Sequence, residues 1–117
     1  MPERLKVLFV CGRNQRRSPT AEKIFQDDPR IMPRSAGTAK TSRRKITQAD
    51  LLWADLILVM ERKYAARIRA QFEDFELFRP VETLDIPDDY PFMEPELIAL
   101  LQASLSSALA NHGNNSL

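Results

Sequence analysis

A three-layer α/β sandwich, built on a four-stranded parallel sheet, is predicted by three features of this sequence. Short apolar runs at Lys6–Val10, Ile31–Ala36, Asp55–Met60 and Pro80–Leu84 alternate with stretches whose apolar residues recur at helical spacing. Leu56-Ile57-Leu58-Val59-Met60 is apolar at every position, as a strand must be when both faces of its sheet are covered. The first run also ends on a cysteine that opens a basic loop, at the carboxyl edge of the expected sheet, where open parallel sheets hold their ligands.

Lys6–Val10 reads as a central strand. Ser18-Pro19 then opens a helix in which Ala21, Ile24 and Phe25 share a face from Thr20 to about Asp28, and Pro29 ends it. Pro33 cannot donate to a sheet ladder, so Ile31–Ala36 is expected near the sheet edge. Gly37 marks a turn and Thr38–Lys45 a polar, basic loop. Thr47 is placed to cap a helix through Ala49–Trp53, with Asp50 three residues on as the return half of a capping box. From Arg62 to Phe72 a helix is expected, with Tyr64, Ile68 and Phe72 on its core face and no chemistry assigned to them. Glu73–Arg79 reads as the helix end and a loop. Leu97, Ile98, Leu101, Leu105 and Leu109 form one stripe of a closing helix from Glu94 to about Leu109. Residues 1–110 are thus expected to form one domain and the polar residues 111–117 a frayed tail. His112, the only histidine, lies in that tail and is assigned no role.

The composition, 44 % hydrophobic and 28 % charged, is that of a soluble globular chain. No apolar run approaches the roughly 20 residues that span a bilayer, and the N-terminal stretch lacks a signal core. A single cysteine forbids an internal disulfide, which suits a reducing compartment; the expectation is cytoplasmic. The net charge of +1 conceals an asymmetry: residues 1–45 carry +8 and residues 46–117 carry −7. Either the halves neutralise each other in the fold, or the basic half attracts anions to the loop, and both are expected in part.

The loop is where chemistry concentrates. Cys11-Gly12-Arg13-Asn14-Gln15-Arg16-Arg17-Ser18 joins a buried strand to a helix start, whose backbone N–H groups lack intrahelical partners and whose dipole favours an anion. Such surroundings favour a sulfur nucleophile at Cys11. Arg17 offers a planar fork that can hold two oxygens of a phosphate, and Ser18 a hydroxyl that can donate to the sulfur. Taken singly, a lone cysteine is more often a small core residue and an arginine cluster a solvated face; their joint spacing favours a phosphate loop.

Cys11, five residues, Arg17 and Ser18, after a valine-rich first strand, resemble the signature of the low-molecular-weight protein tyrosine phosphatases, with Asn14 as the loop asparagine. Arg34-Ser35-Ala36-Gly37-Thr38 looks like that family's second strand, and Ala54–Met60 like its third. The resemblance implies a cysteine-dependent phosphatase of that fold, with Gly12, Arg13, Asn14, Gln15, Arg16, Arg17 and Ser18 around the phosphate and no metal or cofactor. It departs in several places. Arg16 stands where many relatives have a second cysteine, Arg13 where glycine is common, and Gln15 where a small apolar residue is common. The chain is shorter, and its 38–45 loop lacks the aromatic that often flanks substrate.

The leaving oxygen needs a proton, and Asp85-Ile86-Pro87-Asp88-Asp89-Tyr90 follows the last strand at the same sheet edge. This stretch resembles the family's general-acid loop. The resemblance implies Asp88 as the acid, Asp89 in place of the usual proline, and Tyr90 as an aromatic flanking the substrate; Asp85 is the substitute acid. The leading expectation is hydrolysis of a phosphomonoester, such as phosphotyrosine in a phosphoprotein, through a phosphocysteine. Alternatives are an arsenate reductase relying on an external thiol and a non-catalytic phosphate- or nucleic-acid-binding module. The scarcity of aromatics among the basic residues argues against nucleic acid, and the lack of a spanning segment against a membrane partner.

Overall fold

A computed structural model of the chain describes residues 4–74 and 79–115. Strands β1 (Leu5–Cys11), β2 (Ile31–Gly37), β3 (Leu56–Val59) and β4 (Val81–Thr83) alternate with helices α1 (Arg17–Ile24), α2 (Gln48–Trp53), α3 (Arg62–Gln71) and α4 (Pro95–Asn115). The sheet has the order β2-β1-β3-β4 and every pair is parallel. All four carboxyl ends therefore point the same way. Val7–Val10 and Leu56–Val59 are fully buried, so both faces of the two central strands are covered. On the helical layers, α1 packs against α4, while Leu51 of α2 and Ile68 of α3 line one groove with Val81.

The two edge strands follow from their sequences. Pro33 sits in β2, where a missing N–H is tolerated because the strand has a neighbour on one side only. β4 is short and half-buried. Phe9 of β1 and Phe25 after α1 stack with ring centroids 5.7 Å apart, fastening the first helix to the sheet. Two boundaries differ from the sequence reading. α1 starts at Arg17 and ends at Ile24, with turns in place of the last predicted residues. α4 continues to Asn115, so residues 111–115, expected as tail, extend the helix that Leu97, Leu101 and Leu105 bury. Part of the predicted 73–79 loop, residues 75–78, lies outside the described residues.

The charge asymmetry is resolved in part by pairing between the halves. Asp50, 1 % exposed, accepts from Arg44 Nη2 at 2.6 Å and from Arg34 Nη1 at 3.2 Å. Its other oxygen accepts from the Thr47 N–H at 2.9 Å while Thr47 Oγ1 accepts from the Asp50 N–H, completing the predicted capping box. Arg44 also donates to the Ser35 carbonyl at 2.6 Å, so Asp50 anchors the 38–46 loop to β2 and α2 together.

Burial alone would push the Asp50 carboxyl up, but the Arg44 hydrogen bond, the Thr47 N–H and the arginine charge outweigh it and hold it below its ordinary 3.8. A carboxyl lowered in the native state stabilises the fold fully above its unfolded value, and that contribution is lost as pH falls through the native value. Asp50→Asn is expected to cost about 1–3 kcal/mol near neutrality. In urea titrations the gap between wild type and variant should be full above about pH 5 and narrow as pH falls below the unfolded carboxyl value and through the lower native one; a gap independent of pH would remove the ionised carboxylate from this account.

Candidate active site

β1 carries Cys11 to the carboxyl edge of the sheet, where it pairs with Gly37 of β2 and is 3 % exposed. The chain then turns through Gly12–Arg16 and enters α1 at Arg17. Asn14 makes the turn possible: its φ of 54° lies in the left-handed region that asparagine tolerates, and it is fully buried. Arg16, the residue before the helix, makes no side-chain cap, so the first helical N–H groups have no side-chain acceptor there.

Ser18 completes a short relay. Asn14 Nδ2 donates to Ser18 Oγ at 2.8 Å, which leaves the hydroxyl proton for an acceptor. Cys11 Sγ lies 2.9 Å from that oxygen and the Ala36 carbonyl 3.4 Å, so the nearer acceptor is the sulfur. The serine hydroxyl is thus oriented toward the sulfur.

A second loop braces the first. The N–H groups of Thr38, Ala39 and Arg43 donate to the carbonyls of Cys11, Gly12 and Arg13, Ser42 Oγ donates to the Gly12 carbonyl at 3.0 Å, and Arg43 Nε donates to that of Asn14. With these carbonyls turned outward, the loop is held from behind. Gly37 sits at the junction, and a Cβ there would meet Ser42 Oγ and, at 2.9 Å, the backbone nitrogen of Asn14. Gly→Ala changes ordinarily gain a little by stiffening the unfolded chain. Here the clash with backbone decides the sign: Gly37→Ala is expected to destabilise by about 1–3 kcal/mol in denaturant titrations. A neutral or stabilising result would show that the loop does not press on β2.

Arg17 is 2 % exposed and among the largest fully buried side chains. Nη1 donates to Glu61 Oε1 at 2.5 Å and to the Ile86 carbonyl at 2.7 Å, and Nη2 donates to the Tyr64 hydroxyl at 2.7 Å. Nε has no hydrogen-bond partner and lies 3.6 Å from Asp88 Oδ1. Burial disfavours the guanidinium charge, yet the Glu61 and Tyr64 contacts and the Asp88 charge more than offset it, raising its affinity for the proton. Glu61 is affected reciprocally. Burial would push its carboxyl up, but Arg17, helped by Lys63, holds it below the ordinary value.

These groups open onto a cleft of about 490 Å³ lined by Cys11, Gly12, Arg13, Gln15, Arg16 and Arg17 from the loop, with Ala39, Tyr64, Arg67 and Asp88. The Cys11 sulfur, a fixed cation, loop residues Gly12–Arg16 except Asn14, and the Asp88 carboxyl thus share one basin. Among the described residues no group of three or more His, Cys, Asp and Glu is arranged to hold a metal ion.

Solved structures with this architecture include SP-PTP, the low-molecular-weight protein tyrosine phosphatase of Streptococcus pyogenes, at TM-score 0.69 and 18 % identity over 92 % of each chain. Wzb, the tyrosine phosphatase of Escherichia coli K30 solved in complex with phosphate, matches at 0.68 and 22 % identity, covering 92 % of this chain and 99 % of its own. The YwlE arginine phosphatase of Geobacillus stearothermophilus matches at 0.66 and 21 % identity, covering 95 % and 96 %. The chain has the fold of the low-molecular-weight protein tyrosine phosphatases. A scan against protein-family models finds no match, and a search of curated proteins finds none.

Within this phosphatase fold, the residues singled out from sequence divide into three groups. Cys11, Arg17 and Asp88 line the cleft together, with Gly12, Arg13, Gln15 and Arg16 around its mouth. Asn14 and Ser18 do not line it; both are buried, and Ser18 links Asn14 to the Cys11 sulfur. Asp85 and Tyr90 do not line it. Asp85 is exposed at a left-handed turn, φ 58°, which leaves Asp88 as the carboxylate of this loop that faces the site. Tyr90 is half-buried and packs against the hydrophobic core. The aromatic that lines the cleft is Tyr64, read from sequence as core; it is core by burial, but its hydroxyl meets Arg17. Glu61 was missed altogether. Its position two residues after β3, on the edge that holds Cys11, was the available signal.

Proposed function

We propose that the protein is a phosphomonoester hydrolase working through a phosphocysteine intermediate, with aryl phosphates such as phosphotyrosine as its substrate class. Cys11 Sγ attacks phosphorus; the P–O bond to the leaving group breaks and Asp88 gives that oxygen its proton. Water then attacks phosphorus, Asp88 takes the proton back, the S–P bond breaks, and phosphate departs. Arg17 Nε and the loop N–H groups hold the equatorial oxygens, and Ser18 steadies the sulfur anion that each cycle regenerates. Positioning and electrostatics supply most of the acceleration in such a scheme.

The observation that carries this reading is the meeting, in one cleft, of a sulfur with a hydroxyl donor at 2.9 Å and a buried arginine whose Nε has no hydrogen-bond partner. Tyrosine and arginine phosphatases both share the fold, so the fold by itself does not select the leaving group. A cytoplasmic setting belongs to the same reading: a sulfur nucleophile works only while reduced, and this sequence has no second cysteine to protect it. No helix among the described residues is long and apolar enough to cross a membrane. Arsenate reduction would need an external thiol, and nothing in the cleft favours it.

The test is turnover of 4-nitrophenyl phosphate by wild type, with acid-quenched samples digested and weighed. Hydrolysis together with one phosphoryl group on the peptide containing Cys11 is expected. Absence of both would overturn the proposal in favour of a binding module.

A further inference from the structure

We infer that the cleft selects phosphoesters whose leaving group carries a second anionic group, held by Arg13, Arg16 and Arg67. The inference rests on the phosphatase reading above and names the substrate class of that same site. It begins with which cations of the cleft already have partners. Arg17 has Glu61 at 2.5 Å, so its charge is already paired within the protein. Arg13 and Arg16 from the loop and Arg67 from α3 are exposed at the same cleft. Among the described residues none of the three makes an ion pair or a side-chain hydrogen bond, in contrast to Arg30, Arg34 and Arg44 elsewhere. The guanidinium of Arg67 instead lies over the Tyr64 ring, 5.5 Å from its centroid. Three unbalanced guanidiniums from two elements facing one basin repel one another, and an incoming anion relieves that repulsion. The phosphoryl group is already served by the loop N–H groups, the helix start and Arg17, so the three at the mouth exceed what one phosphate uses.

The second observation concerns the walls. Among the described lining residues the only aromatic is Tyr64, which is 3 % exposed and whose ring is flanked by Arg17, Lys63 and Arg67. Tyr90 packs on the core instead. A bare aryl group entering this cleft meets guanidinium planes and no accessible ring wall. A carboxylate or second phosphate meets planar forks that can bind it through two hydrogen bonds at once.

The test compares kcat/KM of the full chain on phenyl phosphate and 4-carboxyphenyl phosphate, and on phosphotyrosyl peptides flanked by aspartate or by asparagine. Wild type is expected to prefer the doubly anionic member of a pair by about tenfold, as two or three exposed charge pairs would give, and chiefly through KM. The preference should collapse in Arg67→Gln and in about 0.5 M salt, where screening shortens to a few ångströms, but persist in Arg69→Gln, on the same helix and outside the cleft. A preference in the aryl pair alone assigns the second anion to a small phosphorylated acid; one in the peptide pair alone assigns it to a neighbouring acidic side chain; either supports the inference. Equal kcat/KM within both pairs, or full preference retained by Arg67→Gln, overturns it while leaving the phosphatase reading intact. No hydrolysis of any substrate by wild type overturns the phosphatase reading itself, and this inference with it.

Discussion

Cys11→Ser is expected to lower aryl phosphate turnover by on the order of 10⁴-fold or more while leaving the fold and anion binding in place. The substitution exchanges one atom in a residue that is 3 % exposed, and an oxygen at that position still lies beside Ser18 Oγ. What it removes is the ease with which sulfur gives up a proton and attacks as an anion. No base compensates in the proposed scheme: Ser18 already accepts from Asn14, and Asp88 is assigned to the leaving oxygen. Calorimetric binding of inorganic phosphate should therefore survive in the variant, since Arg17 and the loop N–H groups are untouched. A serine variant that keeps more than a small fraction of the wild-type rate would show that the sulfur is not the nucleophile.

Asp88→Asn is expected to cost about 10²–10⁴ in rate on phenyl phosphate, whose leaving oxygen needs a proton, and far less on 4-nitrophenyl phosphate, whose leaving oxygen does not. The carboxyl group is 57 % exposed, lies 3.6 Å from Arg17 Nε and lines the same cleft as Cys11. Asparagine keeps its size and its ability to accept a hydrogen bond, so the leaving-group dependence isolates the proton. Asp85→Asn and Asp89→Asn serve as controls, because neither residue lines the cleft. Equal losses on the two leaving groups would remove Asp88 from proton transfer and reduce it to a neighbour of Arg17.

Most of the fold was legible because the sequence repeats one physical instruction: an apolar run, a punctuating residue, an amphipathic stretch. Pro33 marked an edge strand and Thr47 with Asp50 marked a capping box, and both are present. The loop was legible because its chemistry is local, with Cys11, Asn14, Arg17 and Ser18 lying within one turn and one helix start. Of the residues that reach the cleft from far along the chain, Asp88 was named only through the family resemblance, and the contacts of Glu61 and Tyr64 were not legible. Glu61 lies 44 residues beyond Arg17 and Tyr64 lies 47, and helical spacing reports only that Tyr64 faces inward. It cannot report that a hydroxyl on an inward ring meets a guanidinium. Tyr90 differs for the opposite reason: adjacency to Asp88 in sequence does not fix the direction of a side chain, and this ring packs against the core.

Glu61 also occupies the residue before α3, with extended backbone angles of φ −141° and ψ 152°, yet its carboxylate makes no cap to that helix. A serine or aspartate here would satisfy an orphan N–H and add about 1 kcal/mol to the helix. Either would be too short to hold Arg17 as glutamate does. Sequence changes selected only for thermal resistance should thus drift toward a better start for α3 and, in doing so, unfasten the guanidinium that lines the cleft.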